Sequence, residues 1–131
     1  MNYRNINSER QFKDATGYSK SSFSQLLEDY ESTYFEQKGQ TYEEYVAENV
    51  TEPPRLEHLG DALFFVLFQL KNGLIWGALG VVFEMSGTTA HDNFVKFSEL
   101  LEQTLEKKTL CQREDLKALR NLKNMLKMQK S

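Results

Sequence analysis

Two histidines, His58 and His91, stand 33 positions apart, and Cys111 is the only cysteine. A closed zinc site needs four Cys or His ligands at short, paired spacings. This set builds none, and neither a metal nor a cofactor is expected. The carboxylates Glu28–Asp29, Glu43–Glu44 and Asp61 would have to converge in a pocket to do acid–base or metal chemistry, so they read as solvated acidic faces. Ser21–Ser22 lacks a readable His and carboxylate grouping and reads as helix-start chemistry. Gly77 and Gly80 sit inside an apolar stretch and not in a phosphate-cradling loop, which points to close helix packing. No enzymatic reaction is expected from these residues.

The chemistry that does stand out is electrostatic. The chain of 131 residues has a net charge of −3. Residues 1–106 hold eight basic and seventeen acidic side chains, a balance of −9, whereas residues 107–131 hold eight basic and two acidic, a balance of +6. A basic segment of that kind can neutralise phosphates and make binding salt dependent. As a solvated amphipathic helix it would look the same. The N-terminus, Met1-Asn2-Tyr3-Arg4, leads into polar sequence, and a lone cysteine forms no internal disulfide, so a cytoplasmic protein is expected.

Helices must position these groups. With 40% hydrophobic and 12% aromatic residues, only Pro53 and Pro54 as prolines and seven scattered glycines, the turn vocabulary of a many-stranded β fold is missing. The expectation is an all-α protein of five or six helices packed as one domain. Ser8 caps a helix stopped by Gly17. Ser19 caps another that places Phe23, Leu26, Leu27, Tyr30 and Tyr34 on one face and ends near Gly39, closing an N-terminal pair over residues 1–39. Residues 40–58 are acidic and read as a connector with room for one helical turn, anchored only by Tyr42, Tyr45, Val46 and Val50. From Ala62 to Phe83 run 22 residues with Lys71 as the only charge, enough to span a bilayer. A lysine near mid-membrane costs about 2.5–3.5 kcal/mol, so two buried helices joined at Lys71-Asn72-Gly73 are expected, and no membrane. Helices near 59–71, 74–83 and 88–107 then follow in close succession, the third burying Ala90, Phe94, Phe97 and Leu101. A basic amphipathic helix closes the chain over 108–131, with Leu116, Leu119, Leu122, Met125 and Leu126 on its apolar face.

A short helix, a turn of about four residues and a longer helix opened by Ser86 form the pattern of a helix-turn-helix within the trihelical stretch 59–107. The residues Leu63-Phe64-Phe65-Val66-Leu67-Phe68-Gln69-Leu70-Lys71, then Gly80, Phe83, Met85-Ser86 and Ala90, resemble the N-terminal helix-turn-helix region of DDE-superfamily transposases from bacterial insertion sequences. Upstream, Thr16-Gly17-Tyr18-Ser19 followed by Phe23, Leu26 and Leu27 is similar to the opening segment of that family. The resemblance covers roughly residues 12–113. It implies binding of double-stranded DNA at transposon-end inverted repeats. The family's catalytic carboxylates belong to a further, downstream domain, so DNA cleavage is not expected of residues 1–131.

Under that reading Ser86 and the first-turn amides present a helix N-terminus to a phosphate, and Gly87 allows close approach to the DNA backbone. Thr88, Thr89, Asp92, Asn93 and Lys96 face the major groove, with Asn93 suited to adenine and Lys96 to guanine or phosphate. Arg113, Lys117, Arg120 and Lys123 add sequence-independent contacts. A homo-oligomer or a separately encoded catalytic subunit would be the protein partner. The competing expectation is a helical protein-interaction or oligomerisation module without DNA binding, its acidic portion pairing with the basic helix of a neighbour.

Overall fold

The computed structural model describes residues 2–49, 56–108, 120–122, 124 and 125. Every regular element among them is a helix. A 3₁₀ turn at Tyr3–Asn5 precedes α1 (Glu9–Thr16) and α2 (Lys20–Lys38). Both helices start and stop where the sequence predicts. The Ser8 hydroxyl accepts from the Gln11 amide and the Ser19 hydroxyl from the Ser22 amide, while Gly17 (φ 81°) and Gly39 (φ 71°) end the helices in the left-handed region that glycine enters without steric cost.

The expected connector instead contains a full helix, α3 (Tyr42–Asn49), whose start is capped by the Thr41 hydroxyl accepting from the Glu44 amide at 3.2 Å. Its anchor is Tyr42, 4% exposed, which donates its hydroxyl to the Leu56 carbonyl at 2.8 Å. The Tyr42 ring stands edge-on to Tyr34 and Phe97 at 5.7 and 5.9 Å. Burial, with Tyr34 beside it, pushes the Tyr42 phenol up to about 12. Tyr42, Tyr45 and Val46 thus form one short helical face that the acidic composition disguised.

The apolar run divides into α4 (Leu59–Asn72) and α5 (Trp76–Phe83), followed by α6 (Gly87–Lys108). No helix among the described residues is long and apolar enough to cross a membrane. Gly73, at φ 61°, ends α4. The link to α5 is then clamped by Gln69, 2% exposed, whose side-chain amide donates to the Leu74 carbonyl at 2.7 Å and accepts from the Leu74 amide at 3.1 Å. One buried side chain therefore satisfies both backbone groups of the turning residue.

Helix α4 is the centre of the fold. Its residues 62–67 are all buried, as expected of a helix apolar on every side. It packs against α1, α2 and α6, while α5 lies mainly on α6. Phe64 meets Tyr3 in a stacked pair at 5.5 Å and Phe12 at 6.0 Å, and Phe65 meets Phe83 edge-on at 4.9 Å. Gly60 makes room for the Tyr3 hydroxyl, which would lie 2.3 Å from a Cβ there. Arg4 then fastens the N-terminal turn to Asp61 at 2.9 Å. Tyr30, fully buried, ties α2 to α6 by donating to the Phe97 carbonyl at 2.8 Å.

The final helix is described only at 120–122, 124 and 125, all helical; Leu122 is fully buried in the core, Met125 packs against it, and Arg120 is exposed. That is the expected division of faces. Arg113, Lys117 and Lys123 lie outside the described residues.

Candidate nucleic-acid interface

Helix α5, residues 84–86 and α6 form the most extensive helix pair of the molecule, and three small residues set their approach. Glu84 holds φ 60° at the end of α5, and the Met85 amide donates back to the Gly80 carbonyl at 2.8 Å, a Schellman-type closure with a non-glycine in the left-handed position. The turn lies so close over α5 that a Cβ on Gly80 would sit 2.3 Å from the Met85 carbonyl oxygen. One turn earlier, a Cβ on Gly87 would meet the Gly77 backbone at 3.2 Å. Trp76 fills the remaining angle, edge-on to His91 at 5.1 Å and tilted against Phe94 at 5.4 Å. The expected packing role holds for Gly80 directly and for Gly77 as the surface that Gly87 touches. Gly87 therefore serves the close contact with Gly77.

The two faces of α6 separate as the periodicity predicts. Ala90, Phe94, Phe97 and Leu101 are each at most 2% exposed. Thr88, Thr89, Asp92, Lys96 and Glu99 are exposed, with His91, Asn93 and Val95 half-buried at the margins. Ser86 opens the helix: its hydroxyl oxygen accepts from the Thr89 amide at 3.1 Å and donates to the Thr89 hydroxyl at 2.9 Å. These contacts fix the first turn and satisfy one of the amides that a helix start leaves open.

Two of the residues expected to read bases have partners within the protein. The Asn93 side-chain amide donates to the Met85 sulfur at 3.5 Å, which draws it toward the turn between α5 and α6. Lys96 folds back so that its ammonium lies 5.1 Å from the Phe97 ring centre and 6.0 Å from that of Tyr45 on α3. Burial lowers the Lys96 pKa, and Lys38 lowers it further. Thr88, Thr89 and Asp92 are left pointing outward together, with the His91 imidazole 3.4 Å from Asp92. Sequence periodicity locates the outward positions, and the sequence marks Tyr45 as an anchor of the connector but not as a neighbour of Lys96. The only signal for Tyr45 was the three-residue step from Tyr42.

His58, Glu43 and Asp61 have structural partners. The His58 amide donates to Asp61 at 3.1 Å, and its ring contacts Glu43 at 3.1 Å. His58 and Glu43, with Tyr3, Arg4 and Glu31, border an open cleft of about 220 Å³. Burial raises the Glu31 pKa, and the carboxylates of Glu43 and Glu28 raise it further. Among the described residues no group of three or more His, Cys, Asp or Glu is arranged to hold a metal ion. Comparisons with protein-family models, curated proteins and solved structures return no match to this chain.

Proposed function

We propose that this chain binds double-stranded DNA through α6, in the manner of a transposase helix-turn-helix, with transposon-end repeats as the target class. The observation that supports this reading best is the outward face of the first turns of α6. Thr88, Thr89 and Asp92 are exposed together on a helix whose opposite side is fully buried and whose pitch against α5 is fixed by backbone contacts at Gly80 and Gly87. A rigid helix with a polar outer face can lie in a major groove. Thr88, Thr89 and Asp92 form the reading set. Arg120, exposed on the final helix, and the cations around it in sequence supply phosphate contacts.

The test is fluorescence anisotropy with labelled duplexes at low and moderate salt. Binding should weaken with salt, by a slope of about 0.9 per phosphate contact. Thr88→Ala with Thr89→Ala should lower discrimination between sequences, whereas Arg120→Ala should weaken all duplexes alike. Absence of binding to any duplex up to about 0.1 mM, the weak end of non-specific affinity, refutes the reading.

A second reading, as a protein-interaction or oligomerisation module, is favoured by one feature. Helix α5 contains no charged residue, and Ile75, its N-cap, and Val81 within it are 78% and 80% exposed. Ile75→Glu with Val81→Glu should abolish concentration-dependent association in sedimentation velocity if this face mediates it.

A further inference from the structure

Lys96 is the only Lys or Arg between Gly87 and Leu105, so it carries all the permanent positive charge that the first five turns of α6 could offer to DNA. Lys96 is exposed, but its side chain leans along neighbouring rings. Its ammonium lies 5.1 Å from the centre of the Phe97 ring on α6 itself and 6.0 Å from that of Tyr45 on α3, within the range over which an aromatic face attracts a cation. Helix α3 is held in place independently, through the buried Tyr42 and its bond to the Leu56 carbonyl. It also brings Glu43, Glu44 and Glu48, all exposed, of which Glu43 is occupied by His58. An acidic helix beside a groove-reading helix repels phosphate, and a ring on that helix removes the reader's cation.

We propose that α3 is an inhibitory flap on the DNA-reading helix, with Tyr45 as the positioning residue that withholds Lys96 from a nucleic-acid phosphate. This rests on the DNA-binding reading given above. Binding then requires Lys96 to exchange the aromatic ring for a phosphate oxygen, and any loss of the ring favours the bound state.

The experiment compares the full chain with Tyr45→Ala, Tyr45→Phe, Lys96→Ala and the Tyr45→Ala/Lys96→Ala double variant. Duplex affinity is measured by anisotropy over a salt series. Tyr45→Ala is expected to tighten binding about two- to five-fold, the equilibrium factor of an exposed cation–π contact, and to steepen the salt slope by about 0.9, one phosphate contact. Tyr45→Phe keeps the ring and should match the parent. In the Lys96→Ala background the substitution should have no effect, because the cation it releases is gone.

A second readout needs no DNA. After reductive ¹³C-methylation, the dimethyl-lysine resonance missing from Lys96→Ala should be shifted upfield in the parent and move part of the way toward the position of a solvated lysine in Tyr45→Ala, where the Phe97 ring remains beside it. A resonance at the same position in parent and Tyr45→Ala overturns the contact. Equal affinity of parent and Tyr45→Ala for a duplex that both bind, or a gain that survives in the Lys96→Ala background, overturns the inhibitory role alone. If neither parent nor Tyr45→Ala binds any duplex, the DNA-binding reading falls and takes the inhibitory role with it.

Discussion

Adding a single methyl group to α5 should have opposite effects at two positions three residues apart. At Gly80 a new Cβ would lie 2.3 Å from the Met85 carbonyl oxygen and 3.0 Å from the Ser86 carbonyl carbon. The first distance falls more than 1 Å short of a van der Waals contact of about 3.5 Å. The obstacle is backbone already fixed by the Met85-to-Gly80 hydrogen bond, so no side chain can rotate to relieve it. Overpacking of this kind costs about 1–3 kcal/mol, offset by about 0.5–1 kcal/mol from replacing glycine in a helix. A net loss of about 1–2 kcal/mol is expected for Gly80→Ala. At Gly77 a Cβ meets nothing within 4 Å, so Gly77→Ala should gain about 0.5–1 kcal/mol. With about 2.1 cal/mol/K of unfolding entropy per residue and 131 residues, each kcal/mol shifts Tm by roughly 3–4 °C. Thermal unfolding followed by circular dichroism at 222 nm should therefore show Gly80→Ala melting about 4–7 °C lower and Gly77→Ala about 2–4 °C higher. If both variants melt higher by the same amount, the turn does not lie over Gly80 and the described geometry of α5 and α6 is wrong.

The clamp at Gln69 gives a second test: Gln69→Met keeps the volume but leaves the Leu74 amide and carbonyl without their partner, and urea denaturation should report a loss of about 1–3 kcal/mol. An unchanged midpoint would show that the link between α4 and α5 is held by something else. The third test concerns pH. Burial, then Glu43 and Glu28, raise the Glu31 pKa above its ordinary 4.5, so the folded state holds that proton more tightly than the unfolded state. The stability associated with the protonated form is present below pH 4.5 and is lost as pH rises through the folded-state value. Glu31→Gln should accordingly match the parent at low pH and melt higher than it at neutral pH. Equal Tm values at neutral pH would mean that Glu31 does not feel the neighbouring carboxylates.

Much of this architecture can be read from local signals. Ser8 with Gly17, and Ser19 with Gly39, mark the first two helices because caps and left-handed stops act within a turn of the residues that make them. Lys71-Asn72-Gly73 likewise divides the apolar run. Helix α3 escaped because Glu43, Glu44 and Glu48 dilute its apolar face to Tyr42, Tyr45 and Val46, and that face is stabilised by partners at Tyr34, Leu56 and Phe97. The candidate site was half legible. Periodicity places the Cα of Lys96 on the outer side of α6 and that of Asn93 at the margin of its buried stripe. Where their functional atoms come to rest depends on Tyr45 and Met85, which tertiary packing supplies. A long flexible stem lets a charged group lie down on a neighbouring apolar surface, and helical spacing says nothing about which surface that is.

The position of α4 at the centre of the fold governs the order in which the chain can fold. Helices α1 and α2 face each other less than they face α4, and the ring of Tyr3 finds its stacking partner in Phe64, about sixty residues later. Tyr30 waits longer still, for the Phe97 carbonyl. During synthesis at about 5–20 residues per second, the amphipathic faces of the first two helices therefore remain uncovered for seconds after they emerge. A fragment ending before Leu59 has helices but no surface to bury them on. Tyr30 reaches its partner only once Phe97 has been made, so the first turns of α6 complete the surface on which the earlier helices are buried.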